Sequence, residues 1–238
     1  MEIRITSQTT QAPHTIQELQ GDALVVGAAR TTGTQGEKSV LLSPLAKAVD
    51  RSLEGLIDQR CADGEFTGSL GEIMTIHPMG RPPIKRILVV GLGTQENITI
   101  QSLQRASAIA ARHLQNTGAH SIALALQWSS ANYDEESSAQ AQLEGALLGL
   151  YTFRHYQHTD GNGKGITQLA LLTNPEHTAD AERAAQKARI MAEATIFARN
   201  LVNEPPSVLT PTEMANRAST MAQQYNLECE VFDRAKME

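Results

Sequence analysis

The 238-residue sequence predicts an α/β fold: a sheet flanked by helices and followed by one long helix. Three observations predict it. Four nearly continuous apolar runs read as strands whose two faces are both covered: Ala23–Val26, Ile87–Val90, Ile122–Leu126 and Leu169–Leu172. Segments of helical period fall between them. The stretch from about Thr178 to Leu201 then keeps that period far longer than the others, for roughly 35 Å of helix.

In chain order, Ile3 to Thr6 reads as an edge strand and Ala23–Val26 as the first core strand. Thr31 to Lys38 is polar, contains glycine and reads as a loop. Ser43 suits an N-cap and Pro44 the first helical position, with Leu45, Ala48, Val49, Leu53 and Leu56 on one helical face. Ile73 to Ile76 adds a strand before Ile87–Val90. Ile100, Leu103, Ala106, Ala110 and Leu114 form a second stripe, closed near Gly118. Leu143, Ala146, Leu147, Leu150 and Tyr151 form a third. The long helix presents Ile190, Met191, Ala194, Phe197, Ala198 and Leu201, and the first domain is expected to end near Pro175.

Pro205 and Pro206 stop that helix and hold Glu204 extended. Thr210 then caps a new helix, with Pro211 at its first position and Glu213 reaching back to complete a capping box. Leu227 to Phe232 reads as a strand, and the last residues as the start of another helix. One strand and one or two helices cannot bury a core, so this segment reads as the opening of a second domain.

Composition narrows the function. The net charge of -6 and the scattered cations, densest at Arg81, Lys85 and Arg86, argue against nucleic-acid binding. No apolar run approaches a membrane span. The start Met1-Glu2-Ile3-Arg4 lacks the apolar core of a signal peptide. Cys61 and Cys229 form no C-x-x-C and read as reduced thiols. A soluble cytoplasmic protein is the expectation.

The segment Ala198-Arg199-Asn200-Leu201-Val202-Asn203-Glu204-Pro205-Pro206-Ser207, followed by Leu209-Thr210-Pro211, resembles the lead-in to the catalytic domain of leucyl (cytosol) aminopeptidases. That family carries A-R-[D/N]-L-[V/I]-N-x-P and then L-T-P. Upstream, Glu144-Gly145, Leu148, Tyr151, Phe153 and Tyr156 resemble its E-G-x-x-L-x-x-Y-x-F-x-x-Y helix, and Ile87 to Gly93 suits one of its strands.

The resemblance implies a macro-domain-like mixed sheet over residues 1–175, an interdomain helix over 176–201, and the start of a C-terminal metallopeptidase domain over 202–238. It implies a hexameric enzyme that releases N-terminal residues, often leucine, from peptides with two divalent metals, zinc or manganese. The family's metal ligands lie in the C-terminal domain, several in an N-T-D-A-E-G-R motif that this sequence lacks. No catalytic, cofactor-binding or metal residue is therefore carried over to any position, and the chain is expected to be inactive alone.

Other candidates have bland readings beside their sharp ones. His155 and His158, three apart with Asp160 nearby, are placed on a helix end and match two metal ligands, but no third ligand has a recognisable spacing. They read instead as solvated histidines near a helix C-terminus, where they favour the dipole. Gly91-Leu92-Gly93 lacks the third glycine of a dinucleotide fingerprint, since position 96 is Glu, and reads as a tight turn. Gly21 to Ala29 resembles the first core strand of ADP-ribose-binding macro domains, D-A-[I/L]-V-N-A-A-N. Asp22 matches the base-binding Asp, whereas Val26 or Gly27 replaces the polar Asn. A stand-alone module for ADP-ribose or a related nucleotide is the alternative function, and the long tail from Thr178 counts against it. Glu204 and Glu213 read as structural rather than as an acid/base pair, and Ser207 has no visible His/Asp partners.

Overall fold

The computed structural model describes residues 1–7, 21–32, 38–79, 83–128, 133–156 and 165–237. Two compact units are present, Met1–Ala192 and Glu193–Glu238. Among the described residues the first unit holds seven strands, β1 (Glu2–Ser7), β2 (Ala23–Thr32), β3 (Lys38–Leu42), β4 (Ile73–Ile76), β5 (Arg86–Thr94), β6 (Ser121–Ala125) and β7 (Gln168–Thr173). They form one sheet in the order β1-β7-β6-β2-β5-β4, with β3 paired to β2. β1, β7, β6, β2 and β5 run parallel, while β4 and β3 are antiparallel to their neighbours, so the sheet is mixed.

All the strands read from sequence in the first unit form, with Ile3 to Thr6 at one edge. The strand that sequence reading missed is β3. Thr31, Thr32 and Lys38, expected in a loop, belong to β2 and β3, and residues 33–37 lie outside the described set. The polar ends of this pair hid it: Thr31 pairs with Ser39 and Thr32 with Lys38, so only the short run Val40-Leu41-Leu42 marks the strand.

The helices lie on both faces, which is why the central strands are apolar on both sides. Helices α1 (Pro44–Ser52) and α2 (Leu56–Ala62) bury Leu45, Val49 and Ile57 against Leu24, Val26, Ile87 and Val89. Helices α3 (Ile100–Asn116), α4 (Glu135–Gly149) and the first part of α5 (Thr178–Asn203) pack on the opposite face, against Val25, Leu88, Val90 and Leu124. Ser43 caps α1 as read, its Oγ accepting from the Ala46 N–H at 3.3 Å. The expected single helix through Leu56 is broken, because α1 ends at Ser52, Glu54 and Gly55 take positive φ, and α2 starts anew. Asp50 makes the break possible. Its buried Oδ1 accepts from Ile57 N at 2.7 Å and Asp58 N at 3.3 Å, which satisfies the start of α2.

Helix α3 keeps the expected stripe and ends at Gly118 with φ +75°. Helix α4 stops at Gly149, so Tyr151 lies past it. Against α3, α4 presents glycines. A Cβ on Gly145 would meet the Gln104 carbonyl oxygen at 2.1 Å, and one on Gly149 the Ala108 carbonyl oxygen at 2.5 Å. The long helix is present, but its buried stripe is Ala181, Ala184, Ala188 and Ala192. Ile190 and Met191, expected to face inward, are 65% and 51% exposed. The alanines thus take the inward side of the helix, and the larger Ile190 and Met191 take the other.

In the second unit α5 ends at Asn203, before the prolines. Thr210 caps α6 (Pro211–Gln224), and α7 (Arg234–Met237) follows. Residues Leu227 to Phe232 make no strand, and Leu227, Val231 and Phe232 are exposed. A strand needs a neighbour to satisfy its backbone, and none is described there.

Gly145→Ala is expected to lower the unfolding free energy by about 2–3 kcal/mol, because backbone rather than a flexible side chain must move. Urea denaturation monitored by circular dichroism checks it. A loss within about 0.5 kcal/mol would mean that α3 and α4 have slack.

Candidate functional site

Asp22 precedes β2 and lies at the amino ends of three parallel strands. Its Oδ1 accepts from Lys85 Nζ at 2.6 Å, and its Oδ2 from His120 N at 2.8 Å and Ser121 N at 3.1 Å. Its own N–H donates to Ser121 Oγ at 2.9 Å. Burial pushes the carboxyl's pKa upward, but the Lys85 hydrogen bond, the two backbone N–H donors and the Lys85 charge outweigh it and hold the pKa at about 2. Asp22 therefore ties the starts of β2, β5 and β6 together. Both oxygens are engaged, and neither is free to read a base. Val26 is fully buried, and Gly27 accepts from Ser43 N through its carbonyl, so neither position offers a polar side chain to a ligand.

Gly91-Leu92-Gly93 is not a turn. It lies within β5, which runs on to Thr94, and α3 begins only at Ile100 behind a Thr99 cap. The glycine at 91 is explained by a neighbouring backbone, since a Cβ there would sit 1.9 Å from the Ser69 carbonyl oxygen. Gly93 N donates to the Gly68 carbonyl and Gly71 N to the Gly91 carbonyl. The segment at residues 68–72 thus fills the space that a phosphate would need over a dinucleotide turn.

Next to it the carboxyl ends of the strands leave a crevice. β5 and β6 lie on opposite sides of β2, and the crossover between them carries the chain past it. A cavity of about 570 Å³ opens there, lined by Leu41 and Leu42 of β3, Lys47 and Arg51 of α1, Gln95 and Trp128. Trp128 also lines a cavity of about 510 Å³ with Tyr133, Asp134, Glu135, Glu136, His177, Asp180 and Arg183. Burial and Glu135 push the Tyr133 hydroxyl up to about 12, so it stays protonated and donates to the Trp128 carbonyl. Sequence reading missed Lys47, Arg51 and Trp128; the four-residue spacing of the two cations on a capped helix was the available signal.

The remaining candidates do not assemble. His155 lies in a turn beyond α4, not on a helix, and packs on Phe153 and Tyr156, while His158 and Asp160 fall outside the described residues. Among the described residues no cluster of three His, Cys, Asp or Glu side chains could hold a metal. Arg81 is also outside the described set. Glu213 does not complete a capping box. It accepts from Arg217 Nε at 2.8 Å, and Arg217 Nη1 reaches the buried Glu204 carboxylate at 3.1 Å. One guanidinium ties both carboxylates. Ser207 is exposed. Cys61 and Cys229 are free thiols, and burial together with nearby Asp58, Asp50 and Glu72 pushes the Cys61 thiol to about 11, which leaves it unreactive. No helix of the described residues is long and apolar enough to cross a membrane.

Residues 25–160 match the N-terminal domain of the cytosol aminopeptidase family, more than half of the chain. The chain belongs to that family. It is 35% identical over 225 residues to the "Probable cytosol aminopeptidase" of Alkaliphilus oremlandii, covering 94% of this chain and 44% of the relative. It is 32% identical to the protein of the same name from Geobacter sulfurreducens, covering 85% of this chain and 40% of that one. Among solved structures a tomato leucine aminopeptidase mutant superposes with a TM-score of 0.73 at 25% identity, over 95% of this chain and 43% of its own. The bottromycin maturation enzyme BotP, in complex with Mn, gives 0.65 at 26% identity, over 91% and 39%. The chain thus spans less than half the length of the cytosol aminopeptidases it matches, and what it represents of them is the N-terminal domain.

Asp22 gives this domain a defined acid response. Its folded pKa of about 2 lies below the usual carboxylate value, so its contribution to stability is full at neutral pH and fades as pH falls from about 4 to 2. Asp22→Asn is expected to cost roughly 1–2 kcal/mol at pH 7 and almost nothing at pH 2, where the wild-type side chain is itself half protonated. Urea denaturation of both proteins across this range checks it; an equal loss at both ends would mean that the charge is not what matters.

Proposed function

We propose that the chain is the non-catalytic N-terminal portion of a leucyl aminopeptidase, a two-metal enzyme that releases N-terminal amino acids from peptides. The observation that carries this is the combination of the family match with coverage. Relatives named as cytosol aminopeptidases align over 94% of the chain, yet the chain accounts for 44% of such a relative. In this reading residues 1–175 form the domain, 176–201 the connecting helix, and 202–238 the first elements of the catalytic domain.

The enzyme's metals, manganese or zinc, would be held elsewhere in the protein. The described residues here offer no fitting donor set. The clustered carboxylates of the second unit are neutralised by Arg217, and the first unit's Asp22 by Lys85 and two backbone donors. These groups hold the fold. The reading extends to a cytoplasmic, hexameric enzyme in which this half supports assembly and shapes access to the active site.

Purified chain incubated with a leucyl dipeptide and added manganese is expected to release leucine no faster than the buffer blank. Release proportional to protein concentration would overturn the assignment of the chemistry to the remainder of the protein.

A further inference from the structure

We propose that the crevice at the carboxyl ends of β2, β5 and β6 binds a small phosphate-bearing molecule, with its anion between Lys47 and Arg51 and its body against Trp128. In open sheets of this kind ligands collect outside the carboxyl ends of parallel strands, at the point where successive crossovers diverge to opposite sides. That point is here. β5 and β6 flank β2, α1 and α2 cover one face, and α3 begins on the other.

The chemistry of the lining selects the ligand. Lys47 and Arg51 are one helical turn apart on the exposed face of α1, roughly 5–6 Å between their Cβ atoms, a span that one phosphate can bridge. Neither makes an ion pair among the described residues, so both cations are available. The Lys47 charge does reach Asp58, without a salt bridge between them. In the neighbouring cavity Glu136 holds Arg183 and Lys187, and Asp180 holds Arg183 and His177, while Asp134 caps its helix through Ser137 N. Leu41, Leu42 and the Trp128 side chain give the crevice an apolar wall beside its cations. Its volume of about 570 Å³ is that of a small-molecule site. Asp22 is at the other end of the strands and takes no part.

Trp128 is the only tryptophan in the chain, so its fluorescence reports from the crevice wall. The probes are AMP, inorganic phosphate and adenosine, titrated into the full chain. AMP is expected to give a saturable change in emission, inorganic phosphate to compete with it, and adenosine to bind at least about tenfold more weakly. The double substitution Lys47→Glu, Arg51→Glu is expected to weaken AMP binding at least about tenfold with an unchanged circular dichroism spectrum, as both side chains are exposed. Lys47→Ala alone moves affinity in the same direction by less. Asp22→Asn leaves it unchanged. The absence of a saturable change with both AMP and phosphate would overturn the proposal. So would adenosine binding as tightly as AMP, or AMP affinity that survives the double charge reversal.

Discussion

Strand β2 is hydrogen-bonded on both sides for nearly its whole length, and the rest of the first unit takes its place from that. β5 runs beside it from Ala23 to Ala28 and meets it again at Arg30. On its other side β6 pairs as far as Val26, and β3 takes over from Ala28 to Thr32. A strand with no free edge and two buried faces must be apolar on both, and Leu24, Val25 and Val26 are fully buried. The handover from β6 to β3 is also what opens the sheet at its carboxyl end. Past Val26 the parallel neighbour on that side stops, and the hairpin turns the chain back toward α1.

Close backbone approach recurs at three glycines inside regular elements. Gly91 admits the Ser69 carbonyl, and Gly145 and Gly149 admit α3. The glycines of the sequence motifs therefore act through packing. The glutamate of the Glu144-Gly145 pair adds a polar contact to the same seam by accepting from Gln104 Nε2 at 3.1 Å. A seam built from carbonyl against glycine has no compressible side chain in it, which fixes the distance between α3 and α4.

Most of the strands and helices were legible because hydrophobic period and caps are local signals. Ser43-Pro44, Thr210-Pro211 and Gly118 mark ends that hold in the structure. What escaped depends on distant partners. β3 is polar at one end and is a strand because β2 is beside it. The break at Glu54-Gly55 rests on Asp50 reaching forward to two amides. The buried face of α5 is its alanine face, while Ile190 and Met191 of the more hydrophobic stripe stay exposed. Asp22 was visible as an acidic residue before an apolar run, but its role needed Lys85, His120 and Ser121, up to 99 positions away. The family was legible in the Ala198–Pro211 and Glu144–Tyr156 segments, and the match over residues 25–160 agrees with it. The crevice cations carried only a weak local signal, since two exposed basic residues on a helix usually face water.

The edge position of β1 has a consequence for biosynthesis. Its partner is β7, with Glu2 set beside Gln168, 166 positions later. At ribosomal speeds of about 5–20 residues per second, β1 waits roughly 10–30 s for its neighbour. During that interval it is an unpaired extended segment, the kind that recruits other chains. The adjoining charges of Glu2 and Arg4, which face solvent and pair with each other in the finished sheet, also make the waiting strand a poor template for a stranger.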